Sequence, residues 1–140
     1  MASGRTERFQ LSQWQAGDPV LREEFNEDNA RLDQVIPRLV MGTYTGNGAA
    51  QRTIELGFRP KAVLLSHENG YTCYYFNGYN CYGGLILDGI PLRLDNAQGR
   101  EICAEITDNG LWVRYSPDTR GQLNVFTNAN GQVYHYVALC

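Results

Sequence analysis

Turn signals crowd this chain after residue 40 and leave room between them only for strands. Asn47-Gly48, Asn69-Gly70, Asn77-Gly78, Asp88-Gly89, Asp108-Asn109-Gly110, Arg120-Gly121 and Asn130-Gly131 follow one another at short intervals. Asn-Gly and Asp-Gly accept the positive φ that tight hairpins demand. The stretches between them read as strands: 40–45, 52–56, 62–66, 71–76, 84–87, 90–94, 101–107, 111–116, 122–126 and 132–139. Many short strands joined this way predict a mainly β fold, an antiparallel β-sandwich over residues 40–140. Alternation supports single strands: Leu111, Val113 and Tyr115 face one way, Trp112 and Arg114 the other. Ala62-Val63-Leu64-Leu65 is apolar throughout and reads as a central strand covered on both faces. Gly46-Asn47-Gly48-Ala49-Ala50 is read as a hairpin turn, because no helix follows it to make a phosphate loop.

Residues 1–39 read differently. Asp18 is a suitable N-cap and Pro19 a suitable first helical residue. Glu23 and Glu24 suit the positive end of a helix dipole, and Pro37 ends or kinks the helix. Leu21, Phe25, Asp28, Leu32 and Val35 are spaced 4, 3, 4, 3, which is heptad spacing with one polar member. Little more than two heptads cannot hold a coiled coil alone. The helix therefore either packs on its own domain or joins copies of itself in a short trimeric bundle, with Asp28 or Asn29 near the axis. Ahead of it, Phe9, Leu11 and Trp14 anchor either a loose tail or an attachment segment. The expected organisation is an attachment segment and oligomerising helix over 1–39, then the β-domain over 40–140.

Composition excludes several functions. Lys and Arg number 12 against 15 Asp and Glu, so no basic stripe is available for sequence-independent nucleic-acid binding. No run approaches the roughly 18 apolar residues a membrane helix needs, and the first residues lack a secretory apolar region. The chain is expected to fold in a cytoplasm, with Cys73, Cys81, Cys103 and Cys140 as reduced thiols. Cysteine and histidine spacings match no zinc pattern, and no nucleophile, phosphate or metalloprotease motif is present. No cofactor is expected. Asp88, Asp95, Glu101, Glu105 and Asp108 could in principle form a glycosidase pair, but acids beside turns are more often solvated. His67 beside Glu68 reads as a surface pair at a strand end.

One internal repeat carries the aromatic content. Asn69-Gly70-Tyr71-Thr72-Cys73-Tyr74 recurs as Asn77-Gly78-Tyr79-Asn80-Cys81-Tyr82. Its tyrosines either fill a core edge or form an exposed recognition surface, to which a rigid amphipathic ring is well suited. A two-residue turn at Asn77-Gly78 would pair Tyr75 with Asn80 and Phe76 with Tyr79. Tyr71, Tyr75, Asn80 and Tyr82 would then share the outward face and are the candidate receptor-binding residues. A Cys73–Cys81 bridge is the minority alternative to free thiols.

Two segments resemble a known family. Residues 14–33, with Trp14, Asp18, Val20-Leu21-Arg22, Phe25-Asn26, Asp28-Asn29 and Asp33, resemble the opening of tail and tail-fibre proteins of phages and prophages of Gram-positive bacteria. Glu24 stands where that pattern has Asp, and Pro19 where it has Arg or Lys. Gly42-Thr43-Tyr44-Thr45-Gly46-Asn47-Gly48, Arg52-Thr53-Ile54-Glu55-Leu56-Gly57-Phe58-Arg59-Pro60-Lys61-Ala62-Val63 and the closing Tyr134-His135-Tyr136-Val137-Ala138-Leu139 are similar to a small C-terminal β-domain of such fibres. The resemblance covers about 11–66 and 121–140, and 67–120 matches no pattern. It implies a homotrimeric virion tail protein, with other tail or baseplate proteins and a bacterial surface receptor, such as a glycan, as partners. It implies no catalytic residue, and the charge balance and apolar runs already argue against nucleic acid and membrane insertion. The alternatives are a tail cap or baseplate decoration contacting only virion proteins, and a small cell-wall polysaccharide hydrolase.

Overall fold

The computed structural model describes residues 1–97, 99–118 and 123–140. The expected turn at Arg120-Gly121 lies outside the described residues. The chain divides into two compact units, Met1–Arg38 and Leu39–Cys140.

In the first unit, β1 (Gly4–Arg5) pairs antiparallel with β2 (Ser12–Gln13), and α1 spans Arg22–Val35. Asp18 does not cap the helix. Leu21 occupies the N-cap position with extended backbone and no side-chain cap bond. The Asp18 carboxylate instead accepts from the backbone N–H of Gln15 at 2.8 Å, the backbone N–H of Ser3 at 2.9 Å, and the Ser3 hydroxyl. Three donors in the preceding segment outcompete one helical N–H. The helix ends where expected, Ile36 N–H bonding Leu32 C=O just before Pro37.

The second unit holds the remaining strands: β3 (Leu39–Thr45), β4 (Arg52–Glu55), β5 (Ala62–His67), β6 (Cys73–Tyr75), β7 (Tyr79–Cys81), β8 (Gly84–Leu87), β9 (Leu92–Asn96), β10 (Gly99–Thr107), β11 (Gly110–Val113), β12 (Tyr115–Ser116), β13 (Leu123–Phe126) and β14 (Val133–Leu139). They form three four-stranded sheets, ordered β4-β11-β10-β9, β12-β13-β7-β6 and β3-β14-β5-β8. The fold is mainly β. Among the described residues its pairings are antiparallel except for β13 against β7, which run parallel. About forty residues separate those two strands in sequence, long enough for a crossover in place of a hairpin. The expected strand at 111–116 is split in two by Arg114.

Alternation decides what each strand buries. On β5, Val63, Leu65 and His67 are inward and buried, while Leu64 is 51% exposed. The apolar run is thus covered on one face only, not on two. Leu65 packs with Tyr44, Ile86, Leu111, Val113 and Tyr134 in the main core, each full burial of such an aliphatic side chain contributing roughly 1.5–3 kcal/mol. A smaller cluster gathers Cys81, Cys103 and Val125.

The 46–50 loop is not a hairpin turn, because β3 and β4 belong to different sheets. It is docked on buried Asn128, whose Nδ2 donates to Asn47 Oδ1 at 2.7 Å and Ala49 O at 3.0 Å. Gly46 is required there: a Cβ would lie 2.1 Å from Ala129 O. Beside it the stacked Tyr44 and Tyr134 rings, 4.9 Å apart, donate their hydroxyls to Thr127 O and Phe126 O respectively. Burial pushes both phenols well above their ordinary range.

Candidate functional site

The aromatic repeat folds into the β6–β7 hairpin, with a different register from the expected one. Tyr75 pairs with Tyr79, Tyr74 with Asn80 and Cys73 with Cys81. The loop is Phe76-Asn77-Gly78, in which Asn77 (φ 53°) and Gly78 (φ 124°) both take positive φ and Phe76 N–H bonds Gly78 C=O at 3.1 Å. Centring the turn on Asn77 shifts the pairing by one residue, which exchanges the faces assigned to the second strand.

The consequence is a projecting tip with rings on both sides. Tyr75 (69% exposed) and Tyr79 (47%) meet edge to face with centroids 5.2 Å apart. Tyr74 and Phe76, also exposed, lie nearly parallel at 6.5 Å on the other side. Of the four candidate receptor-binding residues, only Tyr75 stands on this surface.

The other three serve the hairpin's base. Asn80 is buried, accepting from Asn124 Nδ2 at 2.8 Å and donating to Phe76 O at 3.2 Å. Tyr71 is half-buried and stacks on His67 at 4.5 Å. Tyr82 is half-buried, edge-on to Tyr71 at 5.0 Å and tilted against Phe126 at 5.5 Å. Its desolvation raises its phenol, and the neighbouring Tyr71 adds to this. These residues join the core to the tip: Tyr134, His67, Tyr71, then Tyr74.

His67 is not a surface residue paired with Glu68. It is buried, with Nε2 2.7 Å from Gln132 Oε1. Asn69 N–H donates to its Nδ1 at 3.3 Å, so the Nε2–H tautomer donates to Gln132.

All four cysteines are free thiols. Cys81 is buried, its thiol donating to Gly83 O at 3.6 Å, and the neighbouring Cys103 thiol together with burial pushes it well above the ordinary thiol range. Cys73 is exposed on the hairpin, its thiol raised by partial desolvation and then by Cys81.

Four of the five candidate acids are engaged by arginines. Asp88 and Asp108 both bind Arg59, the former at 2.7 Å. Asp95 pairs with Arg100 at 2.8 Å and Glu101 with Arg114 at 3.2 Å. The Arg59 bonds hold the Asp88 carboxyl below its ordinary value. Glu105 is the one candidate acid lining a cleft of about 110 Å³ beside Arg59, Leu87, Ile90 and Pro91. Among the described residues, no group of three or more His, Cys, Asp and Glu is placed to hold a metal ion, and no helix is long and apolar enough to cross a membrane.

The helix of the first unit divides the expected heptad seam. Asp28 is buried within the unit, accepting from Ser12 N–H at 2.8 Å and lying 3.5 Å from Arg5 and 3.7 Å from Arg31. Its bonds are thus made inside its own chain: a buried carboxylate must be paired, and the 1–16 segment supplies the donors. Glu24, one turn earlier, is buried beside it, accepting from Ala2 N–H at 2.7 Å and Trp14 Nε1–H at 3.0 Å. The Ala2 bond outweighs desolvation and holds Glu24 below the ordinary carboxylate range. Leu21, Phe25 and Val35 stay exposed and Leu32 is half-buried. Trp14 stacks on Phe25 at 4.8 Å. The segment thus covers the acidic face of the helix and leaves the apolar stripe largely open.

No protein-family model, curated protein or solved structure matches the chain.

Proposed function

We propose that the chain is a non-enzymatic virion component, a phage tail-fibre or receptor-binding protein made in the host cytoplasm and carried on the tail. In this reading it is a homotrimer joined in part through the open helix stripe of Leu21, Phe25, Leu32 and Val35. Its β-domain, a sandwich, contacts a glycan of the bacterial surface. The observation that carries the reading is the β6–β7 tip, where Tyr74, Tyr75, Phe76 and Tyr79 are all exposed. Aromatic side chains are costly to leave in water, and a pair on each side of one hairpin anchored by a buried amide offers rings for stacking against sugars. Four of the five candidate acids are held by arginines, which favours binding over hydrolysis.

The test is a Tyr75→Ala/Tyr79→Ala variant of the full chain, measured for binding to intact Gram-positive cells and to their purified wall polysaccharide. Binding should fall at least tenfold while the melting temperature stays within a degree or two. Unchanged binding would remove the hairpin from the receptor site. Binding only to tail or baseplate proteins would favour the decoration reading, and release of reducing sugar from wall polysaccharide would favour the hydrolase.

A further inference from the structure

The outward face of the β3-β14-β5-β8 sheet is aliphatic from edge to edge. The register places Met41, Val137, Leu64 and Leu85 side by side, one from each strand. The neighbouring row is Leu39, Leu139, Ala62 and Leu87. Their inward neighbours Val63, Leu65, Ile86 and Ala138 fill the core, so all eight point away from it. Met41 is 75% exposed, Leu39 62% and Leu85 59%. Met41, Leu39, Leu85, Leu64 and Leu87 alone leave roughly 500 Å² exposed, at the upper end of the ~300–600 Å² of the largest patch on a typical monomer and well over half of the ~800 Å² each partner gives to a standard interface.

We propose that this sheet face is a self-association surface, covered in solution by the same face of neighbouring copies of this chain. Neither row holds an ionisable side chain, so a like face can be buried against it without stranding a charge. That composition is the charge-depleted core of a stable homo-oligomer interface. It does not suit a nucleic acid or a charged glycan, which would need cationic donors. Two such faces pack as sheets do, about 10 Å apart. Leu64 then becomes covered on both sides, and Ala62-Val63-Leu64-Leu65 acquires the two-sided burial that its composition suggests. The inference does not depend on the host-contacting role of the hairpin.

Two measurements on the full-length chain test it. Sedimentation at tens of micromolar should find an oligomer, and Met41→Lys/Leu64→Lys should reduce it to the 15.8 kDa chain with its far-ultraviolet strand signal intact. The second measurement needs no substitution. The chain has two methionines, Met1 and Met41, about equally exposed in the single chain. Under dilute hydrogen peroxide, Met41 in the oligomer should form sulfoxide at least fivefold more slowly than Met1, the difference vanishing on dilution to monomer. Equal rates at high concentration would overturn the proposal, even if the lysine variant fails to fold. So would a monomeric wild-type chain, whether or not Met41 is protected. An oligomer dissociated by Phe25→Glu but not by the sheet variant would assign assembly to the helix stripe and also overturn it.

Discussion

Asn124 Nδ2 donates a 2.8 Å hydrogen bond to Asn80 Oδ1 inside the parallel pair of β13 and β7. Asn124 Oδ1 accepts from Asp118 N–H at 2.8 Å, and Asn80 Nδ2 continues to Phe76 O at the hairpin loop. Two buried amides thereby connect the body of the sheet to the tip that carries the exposed rings. Removing one leaves the other unsatisfied in a buried site, at a cost of about 1–3 kcal/mol. Asn80→Ala and Asn124→Ala should each lower stability by that amount in urea titrations. Asn80→Val/Asn124→Val should cost less than the sum of the single changes, because neither side-chain amide is left facing a lost partner.

The tyrosines of the repeat should separate into two classes. Tyr82 packs between Tyr71 and Phe126 and joins the edge of the main core. Tyr82→Ala should cost about 2 kcal/mol, below the range for a fully buried aromatic. Tyr75→Ala should stay within about 0.5 kcal/mol, as an exposed change does. Chemical denaturation of the two variants decides the matter. Equal losses would mean that the hairpin tip is packed in solution.

Much of this fold is legible because turn chemistry and alternation are local. Each of the ten strands expected between residues 40 and 139 has a counterpart, and Pro37 ends the helix. What escaped depends on parity or on distant partners. The tip register turned on whether the loop was centred between Asn77 and Gly78 or on Asn77 itself. Cys73 and Cys81 are equidistant from Asn77, a symmetry in the repeat that pointed to the second choice and hence to Tyr75 facing Tyr79. The helix boundary failed for another reason: Asp18 is a good cap by residue type, and only the folded 1–16 segment shows three better donors for it. Likewise the heptad spacing did not say which stripe of the helix would be covered. That depended on the carboxylates of Glu24 and Asp28 meeting backbone N–H groups from residues 2 and 12, a match that spacing does not encode. The burial of His67 was hidden because Gln132, which satisfies its ring, is 65 positions away.

The thiols offer a direct measure of the hairpin. Thr72 and Tyr82 share a backbone bond at 2.8 Å, so the adjoining Cys73–Cys81 pair is a non-hydrogen-bonded one, where side chains approach most closely. Titration under denaturing, non-reducing conditions should find four thiols. In the native protein Cys73 should react first, with Cys81 and Cys103 protected until unfolding. Two thiols in the denatured titration would mean that Cys73 and Cys81 have become bridged.

Acid should loosen the first unit before the second. Glu24 and Asp18 are both held below their ordinary values, Glu24 chiefly by Ala2 N–H and Asp18 chiefly by Gln15 N–H. A carboxyl with a depressed folded-state value takes up its proton more readily when unfolded, so stability rises with pH while the unfolded state holds more protons. The contribution is complete above the unfolded values, about 3.9 for Asp and 4.3 for Glu. It is lost as pH falls through the lower folded values. Trp14 reports the event, because its indole donates to Glu24 at 3.0 Å. In a Trp112→Phe background the Trp14 emission should stay constant from pH 7 to about 5 and shift to the red below pH 4. Glu24→Gln should abolish most of that transition and weaken the unit already at neutral pH, since an amide retains an acceptor for one donor but loses the charge. An emission profile with its midpoint near pH 6, or one unaltered by Glu24→Gln, would show that these bonds do not hold the segment on the helix.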